Sequence, residues 1–205
     1  MNDAWGQLTQ TFQSAGSAFA ELVGRIPDQR WDWPGLGEWS VRDLVGHTSR
    51  ALVTVTSYLA QPGDQVELAD SVAYFQTALA GDPAAIARRG REAGAALGPD
   101  PAAAVQQQLA RALAAVAAAS PATIVGTPFG GIRALDYLPT RTFELTVHGL
   151  DVRDACQLSV DMPEGPLQAS LDLAARLALR SGKGAQLLLL ATGRPHPERP
   201  RFTVL

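Results

Sequence analysis

The stretch Arg141-Thr142-Phe143-Glu144-Leu145-Thr146-Val147-His148-Gly149-Leu150-Asp151-Val152 decides how the rest of the chain is read. It reads as a helix. Glu144 and His148 are four residues apart, so their side chains share one helix face, and Asp151, three further on, lies near it. A carboxylate and an imidazole projected together can share a metal ion. A third ligand must then come from another element.

Working outward, the helix extends over about 132–155, with Pro139 removing a backbone donor one turn before the ligand candidates. Upstream, Ser40-Val41-Arg42-Asp43 opens another helix: Ser40 is a good N-cap, and Asp43 at the third position completes a capping box. Val41, Leu44, Val45, Leu52, Val55 and Leu59 form its apolar stripe. His47 falls on that stripe or at its edge. Alone, such a histidine is more often a satisfied core residue than a ligand.

Residues 3–26 repeat apolar positions at the helical period, from Trp5 and Leu8 to Val23 and Ile26, and Pro27 stops them. Three tryptophans, Trp31, Trp33 and Trp39, follow in an irregular segment expected to be pinned on the helices and not exposed. Residues 65–97 read as helical, with a break near Gly81-Asp82-Pro83, and 102–119 as an alanine-rich helix. Residues 121–131 read as a loop and 166–181 as the last helix. The short apolar runs Gln186–Ala191 and Arg201–Leu205 are expected to form a small β-hairpin or an extended tail. The fold class is therefore all-α. Two parts are expected: a helical metal-binding bundle over 1–157, and a short C-terminal extension over 158–205 packed on it.

The chain of 205 residues is long enough for one well-formed core, and at 46% hydrophobic and 18% charged it is globular in composition. Its net charge of -3 gives no footing for nucleic acid or an anionic membrane. No stretch reaches the ~18 apolar residues of a membrane span. The one cysteine, Cys156, admits no internal disulfide and lacks an evident activating base, so it reads as a packing residue. That cysteine usage, with no basic-then-apolar leader at the N-terminus, leads us to expect a cytoplasmic protein. A homodimer is compatible with it.

Three histidines occur in all, and His196 lies between prolines and is given no role. His47, Glu144 and His148 would make an open, catalytic type of metal site with two nitrogens and one oxygen, built between facing helices of a bundle. Zinc is the default for that ligand set, with nickel, iron or manganese as alternatives.

The segment Trp39-Ser40-Val41-Arg42-Asp43-Leu44-Val45-Gly46-His47 resembles the W-S/T-V-R-D-L-x-x-H start of the second helix in the DinB-like superfamily. Within it, Arg141–Val152 resembles the R-x-x-E-x-x-x-H-x-x-D helix of the mycothiol-dependent maleylpyruvate isomerase family. Pro128-Phe129-Gly130 and Ala191-Thr192-Gly193-Arg194-Pro195 are also similar to it. The resemblance implies a DinB-like up-down four-helix bundle with additional helices, and a divalent metal on His47, Glu144 and His148. It implies mycothiol or a similar low-molecular-weight thiol as cosubstrate. The metal-activated thiol would attack an electrophilic small molecule, making the protein an isomerase or S-transferase.

The remaining candidates carry alternatives. Asp151 would orient a ligand histidine or hold the thiol, or is a solvated carboxylate. Arg141 would pair with Glu144 or Asp43, or bind substrate. One arginine of the cluster Arg88, Arg89 and Arg91 would meet a carboxylate, with Arg88 taken as the cofactor-binding candidate; Arg194 is a candidate C-terminal catalytic arginine. Rival readings are a metal-assisted hydrolase, with Asp151 as base, and a non-catalytic bundle binding a metal or small molecule.

Overall fold

A computed structural model describes residues 4–194. Eight α-helices and one two-stranded sheet follow in order among them: α1 Ala4–Gly24, α2 Val41–Leu59, α3 Ser71–Leu79, α4 Pro83–Ala96, α5 Pro101–Ala118, β1 Ile124–Thr127, β2 Gly130–Arg133, α6 Ala134–Ala155, α7 Glu164–Arg180 and α8 Gly184–Ala191. None of the helices is long and apolar enough to cross a membrane.

The breaks in the sequence are the helix starts. Asp70, Asp82 and Asp100 each cap a helix, accepting from the amides of Ala73, Ala84 and Ala103 at 2.8, 2.9 and 2.9 Å. Pro83 and Pro101 then occupy first-turn positions, where the missing amide costs nothing. The expected capping box of α2 is present. Ser40 Oγ accepts from the Asp43 amide at 3.2 Å, and the Asp43 carboxylate accepts from the Ser40 amide at 3.1 Å.

Helices α1, α2, α5 and α6 form a four-helix bundle in which α1 and α2 each pack on both α5 and α6. Phe12 and Phe19 of α1, Leu44 and Leu52 of α2, and Leu145 of α6 are fully buried in it. Each such side chain contributes roughly 1.5–3 kcal/mol of transfer free energy. Helix α6 is enclosed further, by α3 and α7. That is why it shows no clean apolar stripe. It buries Thr140, Thr142 and Thr146, whose hydroxyls return to its own carbonyls at 2.6, 3.3 and 2.8 Å. Pro139 is accommodated inside this continuous helix.

Helix α4 lies on α2 with almost nothing between them. A Cβ on Gly46 would sit 2.1 Å from the Gly94 amide nitrogen, so the two backbones touch at a glycine pair.

Three expectations are corrected. Residues 121–131, expected as a loop, hold β1 and the turn of an antiparallel hairpin, in register Ile124 with Arg133 and Thr127 with Gly130. Its turn residues, Pro128 and Phe129, are not the Asn-Gly type that signals a tight hairpin. The positive φ comes one residue later, at Gly130 with φ 122°. Gln186–Ala191, expected in a small hairpin or an extended tail, lies within α8; four leucines with no β-branched residue favour helix. Its expected partner, Arg201–Leu205, lies outside the described residues. Trp33 is exposed at 36%, unlike buried Trp31, with the Arg30 guanidinium 4.8 Å from its ring centroid.

The hairpin is anchored on the α2–α3 connection. Gly131 accepts from the Glu67 and Leu68 amides at 2.8 and 3.0 Å and donates its own amide to the Glu67 carboxylate at 2.8 Å. A Cβ at Gly131 would lie 2.0 Å from the Gln65 carbonyl oxygen.

Candidate metal centre

Helix α2 presents His47 and α6 presents Glu144 and His148, and their ligand atoms all lie within 4.8 Å of one another. Glu144 Oε2 is 3.7 Å from His47 Nε2 and 3.5 Å from His148 Nε2. These separations are too long for good hydrogen bonds. They match the ~3.4 Å between neighbouring ligand atoms when each sits about 2.1 Å from a tetrahedral ion. The two imidazoles meet edge to face at 4.9 Å. The donor set and its spacing therefore fit a divalent cation with room for a further ligand.

The neighbours of the trio orient it. Asp151 Oδ2 lies 2.9 Å from His148 Nδ1, which leaves Nε2 as the ligand atom with Nδ1–H donating to the carboxylate. Trp39 lies against His47 with ring centroids 4.5 Å apart, and its indole N–H donates to the Ala87 carbonyl of α4 at 3.0 Å. His47 Nδ1 is buried with no partner among the described residues, so the ring is positioned by packing and by Glu144.

The electrostatics follow from burial and charge. Burial pushes the His47 imidazole below its ordinary value, aided by His148 and Arg50 against Glu144, which keeps it neutral and able to ligate. Burial also disfavours charged His148, but the Asp151 hydrogen bond and the Glu144 charge outweigh it and raise its pKa. Burial alone would raise Glu144; His47, Arg141 and His148 instead hold its carboxyl down at about 2. Glu144 is thus an ionised, half-buried carboxylate facing two imidazoles.

The trio opens into a cavity of about 690 Å³ between α2, α3, α4, α6 and the hairpin turn. Its walls are mostly aromatic and aliphatic, including Trp39, Tyr74, Phe75, Leu79, Ile86 and Phe129. Phe129 reaches it from the hairpin and packs edge-on against Tyr74 at 5.5 Å. A smaller hollow of about 550 Å³ near Trp31 holds none of the ligand candidates.

Arg141 is buried at 8% exposure and lines the cavity. The expected pairing with Glu144 or Asp43 is not made. Its guanidinium lies 5.1 Å from the ring centroids of both Tyr74 and Tyr137, and its Nε donates to Thr140 Oγ1 at 2.9 Å. Asp43 is engaged in the α2 cap instead. Arg88 sits on the exposed face of α4, 3.7 Å from Glu92, while its neighbour Arg89 lines the cavity. Arg194 is exposed and donates to the Thr192 carbonyl. Cys156 is buried, as expected of a packing residue.

The sequence reading missed Arg50, Tyr74 and Phe129. Arg50 carried a usable signal, since it follows His47 by three residues on the same helix. For Phe129 the signal was the pair of short apolar runs, Ile124-Val125 and Ile132, flanking Pro-Phe-Gly-Gly.

Residues 12–153 match the family described as mycothiol maleylpyruvate isomerase N-terminal domain. No curated protein and no solved structure matches the chain. The matched span holds His47, Glu144 and His148 and most of the cavity, and the chain belongs to the mycothiol maleylpyruvate isomerase N-terminal domain family.

Proposed function

We propose that the protein is a divalent-metal-dependent enzyme that uses a low-molecular-weight thiol of the mycothiol type to attack an electrophilic small molecule. The observation that carries this reading is the open trio His47, Glu144 and His148, at metal-sharing separations, on the wall of an apolar cavity. Family membership supplies the thiol. Zinc suits two imidazoles and one carboxylate.

A cation held by His47, Glu144 and His148 would supply Lewis acidity, lowering the pKa of a thiol that at ~8.5 is mostly protonated at neutral pH when free. The remaining work belongs to the chain's own residues. Asp151 holds the His148 ring in the tautomer that ligates through Nε2. Trp39 packs against one ring of the trio, and Phe75, Leu79 and Phe129 offer apolar walls that exclude water from the electrophile. With an activated alkene, thiol addition, rotation about the new single bond and elimination give cis–trans isomerisation and return the thiol. With an epoxide or halide the S-conjugate is the product.

The test is turnover of a panel of activated alkenes and epoxides, with and without thiol and metal. Turnover is expected only when both are present. Turnover that persists without thiol overturns the reading.

A further inference from the structure

The α2–α6 seam has a readable register. His47 lies against Glu144 and His148, and two turns further along α2 the Tyr137 hydroxyl donates to Thr54 Oγ1 at 3.0 Å. Numbers rise along α2 as they fall along α6, so the helices run antiparallel. Arg50 and Arg141 then occupy one level between these two contacts. Each is three residues from a member of the trio, about 5 Å along its helix.

Both arginines line the cavity, and the charges of both act on the Tyr74 hydroxyl. Neither has a carboxylate within ion-pair distance among the described residues. Arg141 is nine-tenths buried, and only its Nε is hydrogen-bonded to the protein. A buried guanidinium is costly unless it is paired, and Glu144 acts on this one only from beyond ion-pair distance. Its terminal nitrogens, a fork suited to a planar carboxylate, are left for something that enters the cavity.

We propose that Arg50 and Arg141 form an anion subsite that receives a carboxylate of the electrophile. The apolar remainder of that molecule lies against Phe75, Leu79, Ile86 and Phe129. The substrate class is thus an electrophilic carboxylate with an alkyl or aryl body. This inference rests on reading the cavity as the electrophile pocket.

The test is calorimetric binding of trans-cinnamate, its neutral amide and the dicarboxylate fumarate, with the protein as purified and again after chelator treatment. Cinnamate is expected to bind at least ten-fold more tightly than the amide in both states, and more tightly than fumarate. Arg50→Gln is expected to weaken cinnamate at least ten-fold without changing the amide, and Arg141→Lys to weaken cinnamate. Arg111→Ala, an exposed change on α5, is expected to change neither. Circular dichroism shows whether each variant is folded, and Arg50→Gln decides the matter if Arg141→Lys is not. Equal binding of acid and amide, no binding of either, or no effect of Arg50→Gln overturns the subsite. Loss of the acid preference after chelation also overturns it, because the carboxylate then sits on the metal. Tighter binding of fumarate overturns the apolar body assigned to that class. None of these results touches the thiol and metal dependence that tests the proposed function.

Discussion

The α2–α6 seam meets the cavity with half-buried His47, Glu144 and His148, with Arg50 and buried Arg141 one turn away. Their backbones are ordinary helix, and their positions follow from helical spacing. The β1–β2 hairpin meets the same cavity through its two turn residues, Pro128 and Phe129. It is held by backbone hydrogen bonds to Glu67 and Leu68 and by a glycine that admits the Gln65 carbonyl. One wall therefore carries the candidate ligands and the other carries the enclosure. The two should fail separately when they are disturbed.

Removing a ligand is the largest disturbance. His148→Ala is expected to abolish metal retention, a loss beyond the roughly 10–100-fold that removal of a supporting partner costs. Metal analysis of the purified variant checks this, and a full complement of metal would break the assignment. Gly131→Ala attacks the other wall. The added Cβ must displace the Gln65 carbonyl, with a loss of up to about 3 kcal/mol of stability. Denaturant melts measure that loss, and metal content is expected to stay at the wild-type level. Metal loss in this variant would show that the walls are not independent.

Asp151→Ala leaves all three ligands but removes the acceptor at His148 Nδ1. Metal affinity is expected to fall about 10–100-fold in chelator competition. Unchanged affinity would make Asp151 a bystander. The smallest expected effect is that of Asp70→Ala, which removes the α3 cap at a cost of about 1 kcal/mol. Burial works against the Asp70 carboxylate, but the Ala73 and Val72 amides, with Arg176 and Arg180 of α7, hold its pKa below the ordinary 3.8. Its stabilisation is therefore present in full well above pH 3.8 and is lost as pH falls through the lower folded value. The gap between wild type and variant in thermal melts should close in acid, and a gap independent of pH would remove the charge from the account.

The contrast between the walls also explains what was legible in the sequence. Helix α1 announces itself by its apolar period and α2 by period and cap, while α6 announces itself by Glu144 and His148 at helical spacing, with His47 joined to them by the family resemblance. The hairpin does not, because its turn lacks the usual dipeptide and its anchors, backbone groups and the Glu67 carboxylate, follow no sequence period. Helix α6 gave its ligands but not Arg141's surroundings, since Tyr74 and Tyr137 come to that guanidinium from α3 and from one turn back on α6. The α8 leucines were misplaced because a six-residue apolar run has no period long enough to separate strand from helix.

The glycine pair where α2 touches α4 has a consequence for how this protein diversifies. The distance between those helices is set by backbone against backbone, at Gly46 and Gly94, and not by the size of any side chain. Ile86 and Arg89, on the same helix as Gly94, face the cavity. Substitution at those two positions can reshape what the cavity accepts while the helix that carries them stays where it is. A lineage under selection for a new substrate thus has two adjustable positions on a fixed mount, separated from the residues that would hold the metal.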